Sequence, residues 1–161
     1  HQDIGNWKFI NHPWDFALAF NKDKTSFTKK FIGSDALLSH NNDSFIYPFV
    51  GDSLRKIAPG KDTWVIDHKG NIMGKVLTCV TDMGITWHNG RIVSINSQDI
   101  PEGLKIKGLS CGFVMLDNEF DAGCSHGNDF PLTLKEGKRA IKVRIVKDIR
   151  PDRTARKTFK L

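Results

Sequence analysis

The sequence predicts a mainly β protein: an antiparallel β-barrel or distorted jelly-roll, preceded by a strand and a helix. From Phe45 onward, short apolar runs alternate with turn residues, which is typical of a barrel or sandwich and not of a parallel α/β sheet. Asn89-Gly90 lies between two such runs and is a strong hairpin signal. The clear helix signal lies before residue 40.

The N-terminal part predicts a half-buried strand and then a short helix. Residues 14–20 alternate large apolar side chains with aspartate or alanine, a period of two that fits a strand. Ser34 can cap a helix, and Asp35 is favourable beside the positive helix end. The polar residues 41–44 suit a turn that ends the helix. We therefore expect a domain boundary near residues 40–44, dividing the chain into residues 1–43 and 44–161.

The part after this boundary predicts a series of strands. Pro48 demotes the run 45–50 to an edge strand or a bulge, because proline cannot donate to a sheet ladder. Residues 63–80 read as a hairpin with a loop of four or five residues, and the apolar run 109–116 as a buried strand. Residues 138–149 alternate basic and apolar side chains, which places Ile141, Val143 and Ile145 in the core and Lys142 and Arg144 in water.

Composition restricts the possible classes of protein. The chain has 161 residues, a net charge of +6 and a sequence pI near 9.3, so an anionic partner is plausible on electrostatic grounds. No apolar run approaches the roughly 18 to 20 residues that span a bilayer, and we expect no membrane association. Three widely spaced cysteines form no disulfide framework and favour reduced thiols in the cytoplasm: Cys79, Cys111 and Cys124.

Three segments carry recognisable motifs. Residues 31–37 read Phe-Ile-Gly-Ser-Asp-Ala-Leu, residues 70–79 read Gly-Asn-Ile-Met-Gly-Lys-Val-Leu-Thr-Cys, and residues 108–116 read Gly-Leu-Ser-Cys-Gly-Phe-Val-Met-Leu. In this order they resemble the aminomethyltransferase family, which includes the glycine cleavage T-protein and folate-dependent demethylases. The chain departs from that family at residues 82–107, where a longer segment predicts an inserted hairpin. This departure indicates a divergent relative.

The resemblance implies the C-terminal portion of a tetrahydrofolate-dependent aminomethyltransferase or methyltransferase. Residues 1–43 would end the folate-binding α+β domain, and residues 44–161 would form the C-terminal barrel that closes over the folate. The family's catalytic carboxylate matches no position here, so we assign no catalytic residue and expect the isolated chain to be inactive. The intact protein would bind tetrahydrofolate and a small one-carbon donor or an aminomethyl carrier protein.

A group of arginines follows the last predicted strand and is the best candidate for ligand contact. Arg150, Arg153 and Arg156 are closely spaced, and each guanidinium can hold a carboxylate through two hydrogen bonds. Some members of the family bring a basic C-terminal residue toward the glutamate tail of folate, so the resemblance implies a folate-tail site here. The alternative is a solvated basic tail.

Three other groupings favour structural roles. Asp121, Cys124, His126 and Asp129 lack the paired spacing of zinc ligands, so no metal is expected. Cys79 lies in an apolar run and, with His88, lacks an orienting third group, which favours a core thiol over a nucleophile. The tryptophans are interleaved with aliphatic residues, which favours core packing over a stacking platform for nucleic acid: Trp7, Trp14, Trp64 and Trp87.

An alternative function is a basic β-barrel that binds nucleic acid or a protein partner. Nucleic acid is the less favoured partner on the sequence alone. Binding that weakens steeply with salt would distinguish it from folate chemistry.

Overall fold

A computed structural model of the chain describes residues 20–39, 44–120 and 130–151. The predicted strand at 14–20 and the residues 40–43 at the expected boundary lie outside these ranges, apart from Phe20. The elements, in chain order, are α1 (Ser34–Ser39), β1 (Phe45–Gly51), β2 (Thr63–Asp67), β3 (Ile72–Asp82), β4 (Ile85–His88), β5 (Arg91–Ser94), β6 (Leu109–Leu116), β7 (Leu132–Glu136) and β8 (Arg139–Ile145). Across the described ranges, no helix has the length and apolar character needed to cross a membrane.

Six of the strands close into an antiparallel barrel, which confirms the predicted fold class. Their order around the barrel is β1-β6-β3-β2-β7-β8, with β8 pairing back to β1. The hairpin predicted at 63–80 is present as β2 and β3, joined by a four-residue loop. The strand predicted at 109–116 is β6, the shared neighbour of β1 and β3.

The barrel interior is a close-packed apolar core. Its residues occupy alternate positions on each strand, because successive side chains of a strand point to opposite faces. Ile57, in the loop after β1, also belongs to it. The buried members are Phe49, Ile57, Val65, Val76, Val114, Leu116, Leu132, Leu134, Ile141, Val143 and Ile145.

The strands β4 and β5 form a separate two-stranded hairpin that packs on the outside of the barrel. A second apolar cluster joins Val50 of β1 and Leu109 and Cys111 of β6 to Ile85 of the hairpin. Trp87 and Ile92 of the hairpin are partly buried against the same cluster. The residues 82–107 that were expected to contain a hairpin therefore cover one side of the barrel.

The described N-terminal segment has little regular structure apart from α1. Gly33 has φ +89°, a left-handed conformation that glycine adopts without a steric penalty, and it lies immediately before the first residue of the helix. Leu37 donates its backbone N–H to the carbonyl of Gly33 at 3.0 Å. The predicted short helix is present, but Ser34 is its first residue and not its cap. Gly33 occupies the cap position, and the Ser34 hydroxyl lies 3.5 Å from Asp35 Oδ1.

Two details of the predicted strands are wrong. The strand containing Pro48 is not an edge strand, because β1 pairs with both β6 and β8. The pairing with β8 begins only at Phe49, so the missing N–H of Pro48 falls where that ladder has ended, while its carbonyl still accepts from Val146 at 3.0 Å. The last strand, expected to reach residue 149, ends at Ile145.

Candidate functional site

The turn between β4 and β5 brings the hairpin tip to the barrel wall. Asn89 and Gly90 both have positive φ, +48° and +75°, as a two-residue type I′ turn requires, and asparagine and glycine are the residues that tolerate this best. The strands flanking the turn pair in register from Ile85 and Ser94 to His88 and Arg91. The confirmed Asn-Gly turn thereby presents the carbonyl of Gly90 to β8.

The side chain of Arg144 on β8 donates a hydrogen bond to that carbonyl. Its Nη1 donates to the Gly90 oxygen at 3.0 Å, and its Cζ lies 4.7 Å from the centroid of the Trp87 ring and 5.1 Å from that of Phe130. The residue is only 6% exposed. A charge held this far from water needs compensation, and the carbonyl dipole and the two ring faces supply part of it.

Trp87 fixes the geometry of this group. Its indole N–H donates to the backbone carbonyl of Gly51 at 2.7 Å, which ties the hairpin to the end of β1. Its ring forms a T-shaped pair with Phe130, with centroids 5.5 Å apart and planes at 86°, a favourable arrangement for two aromatic rings. The guanidinium and both rings are thus held by contacts from three parts of the chain.

A cleft of about 320 Å³ opens beside these residues. This volume lies at the lower end of the range of about 300 to 1,000 Å³ for small-molecule sites. Asp52, which follows β1, adds a carboxylate, and its Oδ1 accepts from the Ser53 hydroxyl at 2.9 Å. The lining residues are Asp52, Trp87, Asn89, Gly90, Phe130 and Arg144.

The cleft has the chemistry of a binding site. A cation and a carboxylate within one small cleft can orient a ligand that carries both an acceptor and a donor, and the aromatic rings can pack against a planar group. No serine, cysteine or lysine is among the six lining residues, so the Asp52 carboxylate is the one lining side chain with the chemistry of a nucleophile or base. We take it as the candidate functional site.

The predicted arginine group lies elsewhere. Arg150 donates from Nε to one carboxylate oxygen of Asp82 at 2.6 Å and from Nη2 to the other. This two-point pair raises the pKa of the Arg150 guanidinium above its ordinary value, mainly through the hydrogen bond to Asp82. Arg153 and Arg156 lie outside the described residues. The role of all three in holding a folate tail stays a prediction.

The structure does not bring Cys79 and His88 into one site. Cys79 packs against the interior core, whereas the His88 ring lies at the hairpin tip beside the Asn89 amide, 3.2 Å away. Burial raises the pKa of the Cys79 thiol, and burial with the negative charge of Asp82 raises the pKa of Cys111 to about 11. Thiols held protonated in this way are poor nucleophiles.

Two further predictions concern metals and tryptophans. In residues 20–39, 44–120 and 130–151, no three histidine, cysteine or acidic side chains are grouped closely enough to hold a metal ion, and the loop containing Cys124 and His126 lies outside those ranges. Trp87 packs in the second cluster, as the core interpretation expects. Trp64 instead lies on the outer face of β2, and Trp7 and Trp14 are not among the described residues.

Sequence reasoning missed the cleft. The alternation in β8 correctly predicts that Arg144 lies on the outer face of the barrel. The prediction that this outward side chain is in water is wrong, because Arg144 is 6% exposed. The available signal was the hairpin itself: its Ile85, Trp87 and Ile92 are too apolar to face solvent on both sides, so part of the barrel exterior had to lie beneath it.

Comparison with protein-family models, curated proteins and solved structures gives no match to this chain.

Proposed function

We propose that this chain supplies the barrel that closes over the folate in a tetrahydrofolate-dependent aminomethyltransferase or methyltransferase. The order of elements supports this: a helix starting at Ser34, directly after the Phe-Ile-Gly motif, precedes a closed antiparallel barrel. This is the order that the resemblance to the aminomethyltransferase family implies.

The cleft is the observation that carries the proposal. A folate has planar rings, amide and amine donors, and a carboxylate tail. Trp87 and Phe130 offer aromatic surface, Arg144 offers positive charge, and Asp52 offers an acceptor. At about 320 Å³ the cleft accommodates part of such a molecule, which fits a barrel that completes a pocket built mainly by another domain.

In this role the chain binds and orients, and it does not perform the transfer itself. The one-carbon unit would come from a small donor or an aminomethyl carrier protein, and no position of this sequence matches the family's catalytic carboxylate. Such a barrel would raise the rate of transfer by holding the two reactants in the correct relative position. The proposal includes a cytoplasmic location, where the free thiols of Cys79 and Cys111 remain reduced.

The C-terminal arginines complete the proposal. Arg153 and Arg156 would hold the carboxylates of the folate tail, because guanidinium groups bind carboxylates through two parallel hydrogen bonds. Arg150 would join them only by exchanging its pair with Asp82 for one with the ligand.

An NMR titration of the 161-residue chain with 5-formyltetrahydrofolate tests this function. We expect saturable shifts, with millimolar affinity, at the Trp87 indole and at the amides of Asn89 and Gly90. Asp52→Asn should alter the affinity, because it removes a charged acceptor from the cleft. Asp117→Asn is the matched control, since Asp117 is exposed and does not line the cleft.

Two results would contradict the proposed function. The first is the absence of any shift in the cleft at millimolar ligand while the barrel remains folded. The second is transferase turnover by this chain alone, since a closing barrel without the catalytic carboxylate should show none.

A further inference from the structure

A second surface of the barrel combines lysines with an aromatic ring. It lies on the outer face of β3, β2, β7 and β8 and is defined by Trp64, Lys75, Lys135 and Lys142; we call it the Lys-Trp-Lys face. Trp64 pairs directly with Lys75 on one neighbouring strand and with Lys135 on the other. Lys142 pairs with Thr133 one row further along. The three lysines are exposed and Trp64 is partly exposed.

The register makes this grouping a single surface. Residues paired across antiparallel strands point to the same side of the sheet, and neighbouring strands are roughly 4.8 Å apart. Lys75 and Lys135 therefore flank the Trp64 ring at one strand spacing on each side. The Lys75 ammonium lies 5.8 Å from the centroid of the ring, near the limit of about 6 Å for a cation–π contact.

The face is positively charged throughout. Around Trp64, the outward positions of β2, β7, β8 and the adjoining half of β3 carry no carboxylate among the residues that the structure describes. The outward carboxylate of β3 is Asp82 at its far end, which pairs with Leu109 and is held by Arg150. Asp67 and Glu136 lie at the ends of β2 and β7, on the inward alternation. Asp67 accepts from Asn71 and Lys69 in its own loop, which lowers its pKa, and Glu136 lies 3.6 Å from Arg139.

We propose that the Lys-Trp-Lys face binds single-stranded nucleic acid, with a base stacked on Trp64 and backbone phosphates at the flanking lysines. Proteins that bind single strands without sequence preference combine a positive track with aromatic rings on a β surface. An acidic peptide would use the lysines alone, and an anionic membrane would gain from the indole only by inserting it into the interface. Trp64 is partly buried between its lysines, which suits stacking of a flat base better than insertion. The charge pattern and the position of Trp64 together favour the nucleic acid.

This inference goes beyond the proposed folate function and does not depend on it. The face lies on β3, β2, β7 and the Lys142 position of β8, whereas the cleft lies beside the hairpin, at the Arg144 position of β8. A folate titration and an oligonucleotide titration therefore report on different surfaces of the same chain.

The test measures fluorescence anisotropy of a labelled oligothymidylate of 20 nucleotides with the 161-residue chain, from 50 to 200 mM salt. Three phosphate contacts give a slope of about −2 for log affinity against log salt, since each contributes about 0.7 for single strands. The affinity should then fall about twentyfold over this salt range. Replacing two lysines, Lys75→Gln with Lys135→Gln, should reduce the slope by about 1.4.

The controls separate stacking from charge. Lys56→Gln with Lys105→Gln removes the same charge from exposed positions outside the face and should leave the slope near −2. Trp64→Ala should weaken binding about fivefold or more by loss of base stacking, while Trp64→Phe should retain most of it. Circular dichroism of each variant establishes that the barrel is folded.

Several outcomes would overturn the inference. They are no detectable oligonucleotide binding, equal losses from the face pair and the control pair, or unchanged affinity in Trp64→Ala. Tighter binding to vesicles of anionic lipid or to an acidic peptide than to the oligonucleotide would also overturn it, because charge alone would then explain the face.

Discussion

Replacing Arg144 with methionine tests whether this residue fastens the hairpin to the barrel. Methionine keeps an unbranched apolar side chain in place of the arginine stem but ends short of the guanidinium, so the change removes charge and hydrogen bonding while most of the packing along the stem remains. The substitution deletes the bond from Nη1 to the Gly90 carbonyl and the contacts with the Trp87 and Phe130 rings.

The expected cost follows from these contacts. A hydrogen bond from a charged donor contributes about 1.5 to 3 kcal/mol, and a cation–π contact contributes about 0.5 to 2 kcal/mol depending on burial. Methionine recovers part of this by apolar packing in a position where Arg144 is 6% exposed. We expect a net loss of about 2 to 3 kcal/mol in the free energy of unfolding.

Urea denaturation measures this loss, with circular dichroism and tryptophan fluorescence as independent probes. Lys142→Met is the matched control: it lies two residues away on the same outer face of β8 but is exposed, so its effect should stay within about 0.5 kcal/mol. If Arg144→Met proves no less stable than Lys142→Met, the account of Arg144 as a fastening residue is wrong.

Three other predictions follow from particular contacts. Gly112→Ala should destabilise the barrel by about 3 kcal/mol or more, measured by urea denaturation, because the added Cβ would lie 2.1 Å from the Thr78 carbonyl oxygen. The raised pKa of Cys111, about 11, means that the folded state keeps a proton that the unfolded state loses, so stability should decline from about pH 9 to pH 11 and decline less in Cys111→Ala. A two-residue turn in place of residues 83–108, whose flanking residues pair directly, should leave a closed barrel that self-associates on gel filtration through its uncovered apolar side.

The barrel was predictable because its signals are local. Asn89-Gly90 specifies a two-residue turn through its backbone preferences alone, and the alternation in residues 138–145 is visible without any partner strand. Each signal depends on a few consecutive residues. Together they establish a series of short antiparallel strands, for which closure into a barrel leaves no unpaired edge.

Whether a given strand is central or at an edge was less predictable, because this depends on pairing between distant residues. Pro48 excludes a central position in the sheet only if the neighbouring strands on both sides extend past the proline. In the structure β8 pairs with β1 only from Phe49 onward, so the proline lies just beyond the ladder. No feature of residues 45–50 reveals where β8 stops.

The candidate site was unpredictable for a related reason. The cleft is assembled from the residue after β1, the hairpin tip, Phe130 and β8, which are widely separated in the sequence. The sequence instead predicts a site at the C-terminal arginines, because these residues are close together in the chain. There the structure shows Arg150 held by Asp82, 68 positions away.

The strand β8 shows how one alternating pattern leads to two different surfaces. Lys142 and Arg144 occupy equivalent outward positions, yet one is exposed on the Lys-Trp-Lys face and the other is covered by Trp87 and Phe130. The difference comes from the hairpin, whose apolar side must be buried and which covers only part of the barrel exterior. The position of the hairpin therefore decides that Arg144 lines the cleft and that Lys142 remains exposed.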